Sequence, residues 1–416
     1  MRHEARGTGL NVKGRRAAVR FIFITVVLDV IAMGIIIPVL PSLIREFVHG
    51  DMVRTSTYYG VFGTVWALMQ FFCSPIIGML SDRFGRRRVI LLANFGLGLD
   101  YIVMALAPSI GWLFVGRIIS GITGASWTTA GAYIADVTEP EHRAKGFGIL
   151  GAAWGVGFVL GPALGGVLGG VDPRLPFWTA AVLTLANAMY GLFVLPESLP
   201  LEKRTAFNWK RANPVGSLTL LRSHHELLGL AAVNAIYFLA HQAFPSMFVL
   251  YAGYRYGWGP RAVGLTLAVV GVCTAIVQAG LIHKAVVRFG ERRCLVAGLA
   301  FGVVSFSVWG LASVGWVGLF AIPFGSMMGL FSPSAQGLMS KRVSASEQGQ
   351  LQGAAASIMG ITGMIGPALF TMTFATFIDG KGFQLPGAPF FLAAALATLA
   401  MLVAWRVTRP QTATHA

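Results

Sequence analysis

Residues 81–88, Ser-Asp-Arg-Phe-Gly-Arg-Arg-Arg, stand between two long apolar runs, Tyr58 to Leu80 and Val89 to Ala107. Each run has about the ~20 residues that a helix needs to cross a bilayer. A loop this short and basic makes the two helices antiparallel neighbours, and it holds the loop on the cytoplasmic side, because basic loops stay inside. Runs of the same kind recur along the chain, so this pattern decides the architecture. The composition agrees: of 416 residues 55% are hydrophobic and 12% charged, and the mean hydropathy is +0.69. Membrane spans dominate such a chain. The net charge of +16 is no signal for nucleic acid. Of the 32 Lys and Arg, 25 fall in predicted cytoplasmic segments and six (Arg45, Arg54, Arg174, Arg255, Arg261, Lys381) in outer loops, while Arg117 lies inside a span. That bias places both termini inside and makes the number of spans even.

The expected fold is an all-α membrane protein with twelve transmembrane helices in two six-helix pseudo-repeat bundles. The spans read as 19–42, 57–80, 88–108, 111–135, 145–170, 176–195, 226–253, 260–286, 293–313, 315–339, 348–378 and 386–407. Residues 1–18 are a cytoplasmic tail, 19–195 the first bundle, 196–225 a cytoplasmic linker, 226–407 the second bundle and 408–416 a second cytoplasmic tail. The run from Phe21 to Pro41 is too long for a cleavable signal and lacks a cleavage site, so it reads as span 1. Cys73, Cys273 and Cys294 lack metal-ligand spacing and take no disulfide or redox role.

The two halves repeat. Arg83-Phe-Gly-x-Arg-Arg returns as Arg288-Phe-Gly-x-Arg-Arg, and Gly161-Pro-Ala-Leu as Gly366-Pro-Ala-Leu. Both lie 205 residues apart (288 − 83 and 366 − 161), and the same offset carries Asp29 onto Asn234. Thr138-Glu-Pro-Glu141 and Ser344-Ala-Ser-Glu347 both fit a capping box at the start of spans 5 and 11.

Gly78-x-x-x-Asp82-Arg83-x-Gly85-Arg86-Arg87 fills every position of the loop 2–3 signature of the major facilitator superfamily, which the chain therefore resembles. The resemblance implies that Asp82 latches a cytoplasmic gate, held by a neighbouring arginine. Asp136 and Arg143 form a second latch or a solvated pair of little energy. Gly157-x-x-x-Gly161-Pro162-x-x-Gly165-Gly166 in span 5 reads as close helix packing. It also resembles the span 5 motif of the superfamily's antiporters, which implies export by exchange. Pro162 would loosen the helix there.

Three charged residues lie well inside spans: Asp29, Asp100 and Arg117. A charge at mid-bilayer costs at least about 2.5–3.5 kcal/mol, so such residues face a cavity or a partner. Asp100 and Arg117 form a structural ion pair, or Asp100 titrates during transport. Asp29 is a proton or substrate site, or a neutral hydrogen-bonded acid. His241 shuttles protons or is simply hydrogen-bonded. Gln70, Gln278 and Asn234 are uncharged candidates for a substrate cavity, and Trp154, with Trp66 and Trp127, lines a drug cavity or packs.

A narrower resemblance runs through Leu28-Asp29, Gly34, Pro38-Val-Leu-Pro41, Arg45-Glu46, Ala67-Leu-Met-Gln70, Gly116-Arg117-Ile-Ile-Ser-Gly-Ile-Thr-Gly-Ala125, Gly131-Ala-Tyr-Ile-Ala-Asp136, Gly349-Gln-Leu-Gln-Gly353 and Gly366-Pro367. These stretches are similar to bacterial tetracycline/proton antiporters. The likeness implies that Arg45, Asp82, Asp100, Arg117, Asp136 and Arg143 stand where that family keeps functional charges. Two positions depart from it: where that family carries a His in span 8 and an acid in span 9, this chain has Thr274 and Gly302.

The expected function is proton-coupled efflux of a small amphiphilic, tetracycline-like drug by alternating access across a bacterial inner membrane. Its partners are the bilayer, the small molecule and the proton, in a monomer or weak homo-oligomer. No cofactor or metal site is expected, although tetracycline would travel as its magnesium chelate. A symporter importing a metabolite is the rival reading on the same fold. An enzyme is the distant one, because no cluster of catalytic carboxylates and no His and Cys with ligand spacing is present, and without a Gly-x-x-x-x-Gly-Lys-Ser/Thr run no ATP site is visible.

Overall fold

The computed structural model describes residues 12–124, 127–139, 142–207, 213, 216–223, 225–344 and 347–409. Among them every regular element is helical. The first half runs α1 (Val12–Ile36), α2 (Leu40–Phe47), α3 (Met52–Phe84), α4 (Arg86–Ala105), α5 (Ile110–Gly124), α6 (Trp127–Val137), α7 (Arg143–Gly169) and α8 (Leu175–Val194). A short α9 (Thr219–Ser223) precedes α10 (His225–His241), α11 (Ala243–Tyr256), α12 (Pro260–Ile276), α13 (Ile282–Phe289) and α14 (Glu291–Leu311). The chain ends with α15 (Gly315–Leu319), α16 (Ala321–Met327), α17 (Phe331–Ser340), α18 (Gln348–Ile378) and α19 (Ala388–Val407).

Eleven stretches of the described residues are long and apolar enough to cross a membrane. The remaining expected span, the fourth at 111–135, corresponds to α5 and α6, whose 15 and 11 residues flank positions 125–126 outside the described set. The expected cap at Thr138 also falls partly outside it, at Glu141. Its counterpart forms one side of the box: the Glu347 carboxylate accepts from the Ser344 N–H at 3.0 Å, just before α18 begins.

The chain divides into two compact units. The first comprises 1–50, 65–213 and 259–269, and the second 51–64, 214–258 and 270–416. Relative to the halves read from sequence, each unit gains the start of one long helix from the other half.

In the first unit α1 lies along α7 and α8, and α4 along α8 and α5. Lipid removes the hydrophobic drive for helices to associate, so contact depends on backbones approaching closely. The span 5 glycines provide that approach. A Cβ built on Gly161 would stand 2.7 Å from Gly34 Cα, and one on Gly157 would meet Val30 Cγ1 at 2.6 Å. Gly165 faces Ile35 of α1, and Gly166 faces Gly264 of α12, whose Cα would be 2.9 Å from an added Cβ. Gly151 and Gly155 would meet nothing within 4 Å. Pro162 lies within α7, which runs unbroken from Arg143 to Gly169, with its ring against Gly34. The second unit uses the repeat of this motif: Gly366 of α18 receives the Gln242 side chain, while Gly63 of α3 sits on Pro367.

The repeat is legible in the structure with one change of offset. Leu175-Pro-Phe opens α8 and Ala388-Pro-Phe opens α19, so the last helices are related by 213 residues (389 − 176). At the end of α4, Arg174 donates to the carbonyls of Ala105 (2.9 Å) and Ala107 (3.2 Å). At the repeat of Ala107, the Ala312 carbonyl accepts from both Tyr251 and Tyr256, each at 3.3 Å. Helix C-termini leave carbonyls unsatisfied, and the two units answer with a cation in one case and phenols in the other.

Candidate functional site

Within the first unit, Asp29 lies midway along α1 and accepts a hydrogen bond from Asn187 Nδ2 of α8 at 2.8 Å. The same Nδ2 donates to the Thr25 carbonyl one turn earlier, at 2.9 Å. Asn94 of α4 approaches Asp29, but its Nδ2 makes no hydrogen bond of ordinary geometry. Thr25 Oγ1 and Thr184 Oγ1 are buried without a hydrogen-bond partner.

Asp100 lies on another face of α4, turned towards α5. It is 1% exposed, and neither carboxylate oxygen has a hydrogen-bond partner. A Cβ on Gly116 would stand 2.9 Å from Asp100 Oδ1, so the glycine leaves the room that the carboxyl occupies. The expected ion pair with Arg117 is not made. Arg117 donates instead to Ser120 Oγ at 2.8 Å, one turn along its own helix, and its Nε has no partner. Arg117 makes its bond one turn along its own helix, and that leaves the Asp100 oxygens without a hydrogen bond.

At the α3–α4 turn the basic signature forms a network. Gly85 has φ 101°, a backbone that side-chain-bearing residues rarely adopt. This turn lets Arg86 reach back to Asp82, to Ser81 Oγ at 2.6 Å and across to Asp136 Oδ2 of α6 at 3.1 Å. The arginine holding Asp82 is therefore Arg86, while Arg83 stacks over Phe84. Asp136 pairs with Arg86 and with Ser198 Oγ (3.1 Å), not with Arg143, which is exposed at the start of α7. The pairing with Arg143 is thus corrected: Arg86, fixed between two carboxylates, takes its place. Gly78 has open space around it, so sterics give no account of that glycine. Glu197 adds what the sequence reading missed. Its Oε1 accepts from the Arg86 N–H at 2.9 Å and the Leu199 N–H at 3.1 Å, and Arg204 lies 3.7 Å from Oε2. A carboxylate over a helix N-terminus is favoured by the dipole and by the free N–H groups. Arg87 donates to the Leu192 carbonyl, joining α4 to the end of α8.

Chain-wide comparisons decide the family. Residues 22–367 match the family model "Major Facilitator Superfamily". The chain belongs to the major facilitator superfamily. It is 39% identical to the class C tetracycline resistance protein of Escherichia coli over 84% of this chain and 88% of that one. Against the class B protein of the same species it is 34% identical, over 86% and 88%. Among solved structures, a bacterial homologue of the human lysosomal transporter Spinster superposes with a TM-score of 0.78. It shares 16% identity and covers 95% of this chain and 97% of that one. The protein is a multi-pass membrane transporter of this superfamily, and not an enzyme.

In the second unit of this facilitator the positions that repeat Asp29, Asp100 and Arg117 are uncharged. The repeats of Asp100 and Arg117 are Ser305 and Ile322, and the Ser305 hydroxyl donates to the Ala321 carbonyl at 2.9 Å. Asn234, the repeat of Asp29, is buried. Thr274 lies 3.4 Å, hydroxyl to hydroxyl, from Ser326. Gly302 is buried beneath Met328, whose Sδ would stand 3.1 Å from an added Cβ, so methionine fills the place an acid would need. His241 is exposed at the end of α10, with its ring 5.9 Å from that of Tyr237. Gln278 lies in a π-turn, Val277–Leu281, between α12 and α13, and is exposed. Such turns recur at functional sites. In the first unit Gln70 lies beside Gly124, and Trp154 stacks on Phe158 with centroids 6.5 Å apart.

The facilitator's basic turn also has a repeat with its charges exchanged. Arg86 and Asp136 become Glu291 and Lys341, which pair at 2.7 Å. Arg86→Gln is expected to destabilise by on the order of 2–3 kcal/mol, because it leaves Asp82 and Asp136 close together without their cation. The Glu291–Lys341 pair has a lysine 69% exposed. Glu291→Gln is therefore expected to cost under about 1 kcal/mol. Thermal unfolding of both variants in detergent measures the difference.

Proposed function

We propose that this transporter expels a small amphiphilic, tetracycline-like molecule in exchange for protons, alternating access between its two halves. Asp29 and Asp100 carry the coupling. One observation carries the reading: unpaired or singly bonded carboxyls occupy Asp29 and Asp100, while their repeat positions hold the neutral Asn234 and Ser305. The fold accepts a neutral residue at both places, so the acids answer to something other than packing. A carboxyl inside a bilayer is a costly feature whose common use is ion or proton movement. The relatives named as tetracycline resistance proteins support the substrate class, and the span 5 glycine–proline motif supports export. Arg86, Asp82 and Asp136 form the cytoplasmic gate, and both termini lie on that side of a bacterial inner membrane. The exposed Gln278 and His241, with Thr274, offer the substrate polar groups. Such a surface suits an amphiphile with few charges.

The test uses inverted membrane vesicles carrying an imposed proton gradient and a pH-sensitive dye. Tetracycline with magnesium, then a panel of other amphiphilic drugs, is added. Dissipation by tetracycline supports the full reading. Dissipation only by another compound keeps the exchange and replaces the substrate. Acidification driven in the opposite sense, by a metabolite entering with protons, overturns export.

A further inference from the structure

We propose that Asn187 is the positioning residue of the coupling carboxylate, a role that rests on the reading of Asp29 above. Its amide does two things with one nitrogen. It donates to Asp29 Oδ1 at 2.8 Å and to the Thr25 carbonyl at 2.9 Å, so the carboxyl is fixed against the turn of α1 that precedes it. Asn187 is fully buried in α8 (0% exposed), and no Asp, Glu, Lys or Arg shares that helix. Its Oδ1 has no partner, so packing alone gives no reason for an amide there.

The repeat supplies the comparison. By the offset of the last helices Asn187 corresponds to Ala400, and Thr184 to Ala397 (187 + 213 and 184 + 213), both fully buried in α19. Asn94 corresponds to Leu299 (94 + 205), buried in α14. Where the second unit has the neutral Asn234 in place of Asp29, every one of these facing positions is apolar. The polar set exists only in the unit that has the acid. A buried polar group without a full set of partners is costly, and at these corresponding positions that cost is borne beside Asp29 and not beside Asn234.

The other titratable or charged groups on the surrounding helices are few. α4 brings Asp100 and Tyr101, with Arg86, Arg87 and Arg88 at its start, and α5 brings Arg117. α6 brings Tyr133 and Asp136, α8 brings Tyr190, and α7 has only Arg143 and Lys145, at its start. Among the described side chains none of these makes a hydrogen bond or ion pair to Asp29, and the Asn187 amide is the well-formed side-chain bond found there.

Two readouts test the role. The first needs no substrate: the full-length protein in detergent is labelled with a hydrophobic carbodiimide, which attacks protonated carboxyls. Labelling at Asp29 and at Asp100 is followed against pH by peptide mass spectrometry. In Asn187→Leu and Asn187→Ala the Asp29 profile is expected to move by about one pH unit or more, because a bond to one protonation state has been lost. The Asp100 profile is expected to stay in place. An unmoved Asp29 profile overturns the proposal, and so does a shift of both profiles together, which marks a merely structural role. The second readout is the ratio of gradient-driven tetracycline uptake to tetracycline counterflow in inverted vesicles. It is expected to fall about tenfold in the Asn187 variants, and a fall of both activities in parallel counts against positioning. Asp29→Asn separates the two claims. If it leaves the ratio unchanged, the reading of Asp29 fails. If it lowers the ratio while Asn187→Leu does not, only the role of Asn187 fails.

Discussion

Asp100→Asn is expected to abolish proton-driven transport, with uptake into inverted vesicles falling at least about tenfold, and Asp29→Asn is expected to do the same. The two acids reach this result from different surroundings. Asp100 is 1% exposed with neither oxygen hydrogen-bonded, and Gly116 leaves the room for it. An ionised carboxylate there costs at least about 2.5–3.5 kcal/mol on the insertion scale, and more where no dipole answers it. Its charge can therefore exist only when something else moves, either Arg117 turning from Ser120 or an arriving cation. That is the property a coupling group needs: its protonation is tied to a rearrangement. Asn keeps the shape and removes the proton, so the rearrangement loses its link to the gradient. Asp379→Asn is the control, because that carboxyl is exposed and accepts from the Lys381 N–H beside it. Gradient-driven uptake at the wild-type level in both Asp100→Asn and Asp29→Asn would move coupling to His241 in α10.

Much of this was legible in the residues. The apolar runs gave the helical class, and the sparse charges inside them marked Asp29, Asp100 and Arg117 directly. A basic turn with Gly85 announced the α3–α4 junction. What escaped was partnership across the sequence. Arg86 rather than Arg83 holds Asp82, because the chain reverses at Gly85 and brings residue 86 back over residue 82. Glu197 lies 111 residues from the backbone N–H it caps, and Asn187 lies 158 residues from Asp29. Spacing along one helix cannot reveal either. A signal for both was present: a single amide in span 6, which has no charged residue, and an acid between Pro196 and Pro200 just after it. The exchange of segments between units was hidden for another reason. It depends on which glycines face which helix, and a stripe of glycines presents the same letters on every side.

That ambiguity gives the second large effect. Gly161→Leu is expected to leave no folded protein, and Gly161→Ala to lower stability by about 1–3 kcal/mol, the usual cost of overpacking. Even a Cβ at 161 would stand 2.7 Å from Gly34 Cα and 2.9 Å from the Ile31 carbonyl oxygen, and both are backbone atoms. Backbone cannot swing aside as a long side chain can, so α1 would have to separate from α7 along the length of their contact. Because apolar side chains gain nothing over lipid by meeting one another, the lost approach has no substitute. Gly155→Ala, six residues earlier on the same helix, is expected to be neutral or stabilising. Nothing lies within 4 Å of its added methyl, and alanine favours a helix over glycine by about 0.8–1.0 kcal/mol. Thermal unfolding of the two alanine variants in one detergent reads the difference. Equal midpoints would mean that α1 and α7 are not held by this contact, and the stripe would then have to be explained by movement alone.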